Sequence, residues 1–382
     1  MAATTHVGLG SIKRYFRKLE DPRVVGRSRH LLIDIIVIAI CSVIANCDNW
    51  KDIELFAKKR QGWFQRFLKL PQGIPSWHTF RRVFNQLDPR AFSGCCLAWL
   101  QAAADLVGAG HIAIDGKTLC GSASSQLGPL HLVSAWATQA QITLGEVAVD
   151  GKSNEITAIP KLLELLDLTG ALVTIDAMGC QKEIAAKIVA GGGDYVLAVK
   201  GNQGHLLEDI QTTVAKALDG ELLQNLVATH TSSVQGHGRQ ERRTCTVIRV
   251  LQGIRARKAW PSLTTVGMCC RERTVKGETT IEAHYFIGSR RMGARRYAEA
   301  LRAHWGIENS LHWQLDISFG EDDSRVRDRN GAENLALLRK MALALLKQNP
   351  APTSIARKRK TAALDPQFLA ETLTGAANVQ KI

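Results

Sequence analysis

ALVTIDAMGCQ, residues 171–181, is followed by a helical pattern and then by DYVLAVKGNQ, residues 194–203. The first segment is an apolar run of strand length that ends in a carboxylate, Asp176, followed by small residues. The second is a run of the same type that ends at Lys200. Two such runs joined by a helix predict a βαβ unit. Asp176 is therefore expected at the carboxyl end of a strand, where open α/β sheets bind ligands.

A second strand of this kind lies upstream, where the apolar residues of 111–114 end in Asp115 and Gly116. If the two strands are neighbours, Asp115 and Asp176 converge. Side by side without a cation, two carboxylates raise each other's pKa. A bound divalent metal usually offsets this repulsion between the two carboxylates.

The segments around these two strands predict the order βββαβαβα over residues 106–218. Strands are expected at 130–138 and 141–150, and a helix capped by Ser153 or Asn154, with Pro160 at a kink, is expected to run to Leu168. Helices are also predicted at 181–189 and 203–218. With acidic residues on strands one and four, this order is the ribonuclease-H-like arrangement.

Residues 1–105 predict a helical domain. Its helices are expected at 12–19, 31–47, 52–70, 79–87 and 92–106. The apolar run from Leu31 to Ala45 is 15 residues long and contains Asp34, so it predicts a buried helix and no membrane span. Ser76 is a candidate N-cap for a helix that carries Arg81 and Arg82, which either contact phosphate or form a solvated face.

Beyond residue 218 the pattern changes twice. Strand candidates at 226–234, 242–251, 263–273 and 279–288 predict a β-rich insertion over residues 219–290. Residues 291–348 then predict the last core helices. The last segment, 349–382, contains the run Arg357-Lys-Arg-Lys360 and is interpreted as a basic tail.

The helix predicted near residues 294–315 carries a third acidic candidate, Glu308. Its apolar stripe is made of Tyr297, Leu301, Trp305, Leu311 and Leu315, and at three- and four-residue spacing Glu308 falls on the same stripe. A half-buried glutamate should be neutralised, paired or metal-bound. His304 and His312 flank it by four residues on either side. For these histidines, a hydrogen-bonded core position, a zinc site and a phosphate contact all stay open.

Composition indicates the class of partner. The 382 residues carry 49 Lys and Arg against 35 Asp and Glu, a net charge of +14, which favours polyanions and nucleic acid first. The nine cysteines form no CxxC pair and predict neither a zinc site nor a disulfide framework, so a reducing cytosol is expected. The first residues lack the layout of a signal peptide.

Seven segments together resemble the DDE transposases of bacterial insertion sequences, in the ISAs-type or H-repeat-associated group. Each is weak alone, but their order is specific. They are IDGKTL at 114–119, HLVSAW at 131–136, KSNEI at 152–156, TIDAMGCQ at 174–181, DYVLAVKGNQ at 194–203, GR at 238–239 and HWGIENSLHW at 304–313.

This resemblance implies that Asp115, Asp176 and Glu308 are the metal-binding catalytic triad and that the β-rich segment interrupts a ribonuclease-H-like domain. It implies two Mg²⁺ ions, for which Mn²⁺ can substitute, and double-stranded DNA as substrate, both the element's terminal inverted repeats and the target. Two ends must be held together, so a homodimer in a synaptic complex is expected. A cytoplasmic, nucleoid-associated location in a bacterium follows.

The candidate DNA contacts are basic and polar side chains near the predicted active edge, on the insertion and on the helical domain. They are Lys117, Lys152, Lys200, Asn202, Gln203, Arg239, Arg242, Arg243, His304, His312, Arg81 and Arg82. A catalytically inactive or domesticated DNA-binding descendant is the alternative, because the group has Arg where this chain has Cys120. A nuclease on the same fold that does not transpose is a third hypothesis.

Overall fold

The structure is a computed structural model. It describes residues 9–24, 26, 28–104, 110–124, 128–149, 154–236, 238–249 and 251–374. Candidate contact Lys152 and candidate cap Ser153 lie outside the described residues. No helix in the described part of the chain is both long enough and apolar enough to span a bilayer.

The described residues of the N-terminal part are helical, as the sequence predicts, with six helices where five were predicted. They are α1 Leu9–Phe16, α2 Leu32–Ile44, α3 Trp50–Lys59, α4 Gln61–Phe64, α5 Trp77–Gln86 and α6 Pro89–Ala104. The single helix predicted over 52–70 is wrong, because the chain breaks at Arg60 and leaves helical geometry after Phe64. Ser76 caps α5 as predicted, its Oγ accepting from the Thr79 N–H.

The apolar helix α2 is a buried core helix. From Asp34 to Ile44 every residue is buried. Asp34 is tolerated there because its carboxylate accepts a hydrogen bond from the Leu70 N–H at 2.9 Å. A buried polar group without such a partner would be costly.

One mixed sheet of nine strands organises the rest. Its strands are β1 His111–Leu119, β2 Leu130–Ala137, β3 Ile142–Ala148, β4 Leu172–Ile175, β5 Asp194–Val199, β6 Val227–Gly236, β7 Arg239–Ile248, β8 Thr265–Val275 and β9 Glu278–Gly288. Their order is β3-β2-β1-β4-β5-β9-β8-β7-β6. β1, β4 and β5 are parallel, and every other pair is antiparallel.

Six helices of the described residues belong to this part of the chain. They are α7 Glu155–Leu163, α8 Lys182–Ala190, α9 Gly204–Leu218, α10 Ala294–Ile307, α11 Trp313–Phe319 and α12 Arg329–Gln348. α8 and α9 follow the parallel strands β4 and β5. α7 contains Pro160 and ends at Leu163, five residues before the predicted end. The long helix α12 is buried over most of its length and packs against α2 and α5.

The β-rich segment does not form a separate sheet. β6 to β9 make an antiparallel meander, and β9 pairs with β5, so the meander extends the same sheet from its β5 edge. The predicted strand positions agree with the structure to within a few residues. What the strand pattern alone could not show is the pairing partner of β9.

The predicted basic tail is wrong for the described residues up to 374. Two helices are present there, α13 Ile355–Leu364 and α14 Pro366–Thr374. Lys358 is buried and donates to the carbonyl oxygens of Leu346 and Asn349, at the end of α12. Arg359 is fully buried, donates to Asp48 and to the Val43 carbonyl, and lies over the Phe319 ring. Long-range partners therefore bury charges that the sequence pattern places in solvent.

Candidate active site

The register of β1 and β4 places the two aspartates side by side. The last parallel pair is Ile114 with Ile175, so Asp115 and Asp176 are the next residues on neighbouring strands. Neighbouring strands lie about 4.8 Å apart. The prediction that β1 ends at Asp115 is wrong, because the antiparallel pairing with β2 carries β1 on to Leu119.

Backbone N–H groups orient both carboxylates. Asp115 accepts from the Gly116 N–H at 2.9 Å. Asp176 accepts from Met178 at 3.0 Å and from Gly179 at 3.3 Å, in the turn that leads to α8. These bonds hold the side chains in place beside the open end of β4.

Glu308 reaches the same place from a helix with irregular geometry. Residues Glu308–His312 form one π-helical turn between α10 and α11. Single π-helical turns inside helices occur often at functional sites. Across this turn His312 Nδ1 lies 3.1 Å from Glu308 Oε2 and 3.7 Å from Asp115 Oδ2.

Two sequence predictions about side-chain exposure near this turn are wrong. Trp305, predicted on the buried stripe, is 54% exposed, while Ile307 is buried in its place. Glu308, predicted to be half-buried on that stripe, has a side chain that is 66% exposed. Both residues come before the extra residue of the turn; the buried face of α10 is formed by Tyr297, Ala300, His304 and Ile307, so the predicted stripe was placed to one side of that face.

All three carboxylates line one cavity of about 530 Å³. The pKa of Asp115 is raised to about 7, first by burial and then by the charges of Asp176, Glu155 and Glu308, and the hydrogen bond from Gly116 opposes this shift. The pKa of Asp176 is also raised, first by burial and then by Glu155. Lys200, exposed at the end of β5, opposes the shift at Asp176. The cavity therefore concentrates negative charge.

The donor set fits a divalent metal. Among the described residues, Asp115, Glu308 and His312 can each offer one ligand atom, all within 4.8 Å of one another. Asp176 lines the same cavity but is not in that cluster. Carboxylate oxygens suit Mg²⁺, and an added imidazole nitrogen suits Mn²⁺ better than Mg²⁺.

A fourth acidic residue, Glu155, was not predicted as part of the site. Its Oε1 lies 2.7 Å from His131 Nε2, and His131 Nδ1 lies 2.8 Å from the Thr118 hydroxyl. It is close enough to raise the pKa of both Asp115 and Asp176. Glu155 belongs to the KSNEI segment, which the resemblance already included. The sequence could not place Glu155 next to β1, because that position depends on the pairing of β1 with β2.

Lys117 is held inside the protein. Its Nζ lies 2.5 Å and 2.6 Å from the two carboxylate oxygens of Asp316 on α11, and 4.0 Å from Glu321. These contacts do not support Lys117 as a DNA contact; they join β1 to the helix that follows Glu308. Glu321 is 1% exposed. Asp316 is a second residue that the sequence did not point to.

Three predicted DNA contacts lie after β5. Lys200 is exposed and lines the cavity. The side-chain amides of Asn202 and Gln203 donate to the carbonyl oxygens of Ala177 and Cys180, at 2.7 Å and 2.9 Å. Asn202 and Gln203 thus hold the turn that carries Asp176.

His304 is a hydrogen-bonded core residue. Its Nδ1 lies 3.2 Å from the Thr174 hydroxyl, which also lies 2.9 Å from His111 Nε2. Burial lowers the pKa of both histidines to about 4. Of the alternatives open for His304, the core position is the one that its contacts support, whereas His312 joins the acidic cluster.

The remaining candidates are surface arginines. Arg239 and Arg242 are exposed on β7, two strands from β9, and the neighbouring Arg243 forms an ion pair with Glu241. Arg81 and Arg82 are exposed on α5 and line a separate cleft. The structure brings none of these five residues to the cavity that contains the carboxylates.

Comparison with known proteins decides the family. Residues 108–345 match the family described as "Transposase DDE domain", and residues 13–100 match the family described as "DDE_Tnp_1-associated". The chain belongs to the DDE transposase family. Membership of this transposase family implies the ribonuclease-H-like fold, in agreement with the strand order β3-β2-β1-β4-β5.

Two proteins similar over nearly their whole length are named as putative transposases. "Putative transposase YncI" of Escherichia coli O157:H7 is 38% identical over 98% of this chain and 97% of its own length. "H repeat-associated putative transposase YhhI" of Escherichia coli (strain K12) is 35% identical over 96% of this chain and 98% of its own. "Putative protein YbfL" of the same strain is 35% identical over the same shares. The resemblance to H-repeat-associated transposases is therefore confirmed.

Proposed function

We propose that this chain binds the terminal inverted repeats of its own insertion sequence and carries out metal-dependent cleavage and strand transfer of DNA. The observation that carries the proposal is the strand register that sets Asp115 beside Asp176, with Glu308 lining the same cavity. Asp115, Asp176 and Glu308 are the proposed catalytic residues and metal ligands.

The proposed cofactor is Mg²⁺, as two ions, with Mn²⁺ as a substitute. When bound, such ions activate an attacking oxygen and stabilise a leaving oxygen in phosphoryl transfer. Asp115 and Glu308 provide carboxylate oxygens on one side of the cavity, and Asp176 provides them at the end of β4. His312 donates to Glu308 and so fixes the direction of its carboxylate.

The same residues support cutting and joining. Water as the nucleophile nicks a strand, and a freed 3′-hydroxyl as the nucleophile joins it to target DNA. Asn202 and Gln203 keep the turn of Asp176 in place during both steps through their bonds to Ala177 and Cys180. Lys200, exposed at the cavity wall, is the proposed contact for the phosphate next to the scissile bond.

DNA is the proposed partner along a wider surface. The net charge of +14 favours a polyanion, because each neutralised phosphate releases counterions. Arg239, Arg242 and Arg243 on the β meander and Arg81 and Arg82 on α5 are the proposed outer contacts. A homodimer that holds two ends in a synaptic complex, acting on DNA in the bacterial cytoplasm, completes the proposal.

Incubation with DNA that carries the element's ends, a target plasmid and Mg²⁺ tests the proposal. We expect nicked ends and joined products that disappear when the metal is chelated. Cleavage of any duplex without joining would instead indicate a nuclease. Binding without cleavage would indicate an inactive descendant, an alternative that rests on Cys120 alone and is not favoured by an intact set of three acidic residues.

A further inference from the structure

A second cleft, distinct from the carboxylate cavity, lies between the N-terminal helices and the segment that joins α11 to α12. Its volume is about 720 Å³. The side chains that define it are Trp50, Arg81, Arg82, Asn85, Arg325 and Arg327, and we name it the arginine cleft. It shares no residue with the carboxylate cavity.

The arginine cleft carries uncompensated positive charge. Arg81, Arg82, Arg325 and Arg327 are all exposed, and in the described part of the chain none of them lies within ion-pair distance of an acidic group. One acid lines the cleft, Asp328, and its Oδ1 accepts the Gly331 N–H as the cap of α12. Arginine presents a planar set of donors that matches a phosphate group.

Buried polar groups at the cleft also lack partners. Trp50 is 6% exposed, and its indole N–H has no hydrogen-bond acceptor among the residues that the structure describes. The Asn85 side-chain oxygen, next to Gly331, is also buried and has no hydrogen-bond donor among the described residues. Buried polar atoms are normally satisfied, so the unpaired indole donor points to an acceptor such as a phosphate oxygen, whereas the Asn85 oxygen needs a donor, which a phosphodiester does not have.

The wall that carries Arg325 and Arg327 is held in a fixed position. Behind it, Ser324 donates its N–H to the Glu321 carbonyl at 3.1 Å. A Cβ on Gly121 would lie 2.1 Å from the Ser324 carbonyl oxygen, so the segment packs directly on the chain that follows β1. A fixed backbone leaves only the side chains of these two arginines to be ordered when a ligand binds.

We infer that the arginine cleft binds one sugar–phosphate strand of duplex DNA. Its volume lies within the usual range for ligand clefts, about 300–1,000 Å³, which admits a strand at the surface but does not enclose a duplex. Arginines from two separate segments suit an extended polyanion better than a small anion. The inference rests on the proposed function, and it adds Arg325 and Arg327, on the segment that follows Glu308, to the DNA-binding surface.

Two double variants test the inference from opposite walls of the cleft. They are Arg81→Gln with Arg82→Gln, and Arg325→Gln with Arg327→Gln. The matched control is Arg257→Gln with Lys258→Gln, an exposed basic pair outside the cleft that removes the same charge. Because Arg81 also lies 5.3 Å from the Trp77 ring, the variant at 325 and 327 separates the effect of charge from the effect of packing.

Binding is measured by fluorescence anisotropy with chelator present, over a range of salt concentrations, on one duplex with the element's end and one of unrelated sequence. We expect each cleft variant to weaken binding of both duplexes roughly tenfold, and to reduce the salt slope by about 0.9 for each phosphate that the variant no longer neutralises. The control should bind as the unaltered protein does.

The outcomes separate this inference from the proposed function. If the unaltered protein binds DNA and both cleft variants bind equally tightly with the same salt slope, the inference is overturned and the cleft serves another partner, such as an acidic protein. If the unaltered protein binds neither duplex, the proposed function itself fails.

Discussion

At the scale of single residues, Gly116 decides how the acidic groups fit together. A Cβ on Gly116 would lie 2.2 Å from Glu155 Oε1 and 2.6 Å from His131 Nε2. Real side chains do not approach so closely, so only glycine allows Glu155 and His131 to lie against β1 directly beside Asp115. The IDG sequence thus provides a carboxylate and, in the next residue, the space for its neighbours.

Gly116→Ala is expected to displace Glu155 and His131 and to slow DNA cleavage at least tenfold while the protein still folds. The free energy of unfolding should fall by about 1 kcal/mol or less, because the atoms that must move are the ends of the Glu155 and His131 side chains. Cleavage rate and the free energy of unfolding are the two measurements. Gly94→Ala, on α6 and outside the cavity, is the control, because a Cβ there meets no atom within 4 Å. Full activity in Gly116→Ala would show that Glu155 and His131 have no role in the site.

The site residues differ in how far the sequence could predict them. Asp115 and Asp176 each follow an apolar strand, and that local pattern is visible without a structure. Glu155 and Asp316 become neighbours of the site only through the β1–β2 pairing and through the Lys117 ion pair. The periodicity of apolar residues within one segment does not predict contacts between segments that are far apart in the chain.

At the scale of elements, the π-helical turn Glu308–His312 sets the direction of the third carboxylate. It brings Glu308 and His312 to 3.1 Å while Leu311 and Leu315 stay buried below them. The sequence prediction gave the wrong exposure for Trp305 and Glu308 because the buried face of α10 contains Ala300, His304 and Ile307 rather than Leu301 and Trp305.

Deletion of Asn309, which is exposed, tests this turn. Loss of one residue is expected to restore α-helical spacing and to bring Glu308 from four to three residues before His312, which changes the position of its carboxylate relative to the imidazole. We expect cleavage to fall to background with DNA affinity retained. Asn309→Ala, which keeps the length of the turn, should cleave normally. A deletion variant that cleaves normally would show that the geometry of the turn is not required.

The C-terminal helices provide a second test at this scale. Arg359→Ala leaves Asp48 without its partner and removes the contact with Phe319. Breaking a buried ion pair costs about 3–5 kcal/mol, and because Asp48 is 33% exposed we expect about 2–3 kcal/mol here. Chemical denaturation measures the change. Lys360→Ala, at an exposed neighbour, should be close to neutral. If the two variants are equally stable, the contacts of Arg359 do not stabilise the protein, and the interpretation of residues 355–364 as a basic tail stands.

At the scale of the whole molecule, one continuous sheet connects the parallel strands of the site with the antiparallel meander. The predicted order of strands and helices, the helical N-terminal part and the acidic strand ends could all be read from apolar runs and their punctuation. The pairing of β9 with β5 could not be predicted from the sequence, because it joins residues far apart in the chain. The arginine cleft could not be predicted for the same reason, because α5 and the segment after α11 are far apart in the chain.

Single-turnover cleavage of end DNA in Mg²⁺ by Asp115→Asn, Asp176→Asn and Glu308→Gln tests the central claim most directly. Glu299→Gln, an exposed residue on α10, is the control. The account predicts that each of the three variants loses cleavage by a factor of at least about a thousand while binding DNA as tightly as the unaltered protein, and that the control cleaves normally. Cleavage at the unaltered rate by any of the three would contradict it.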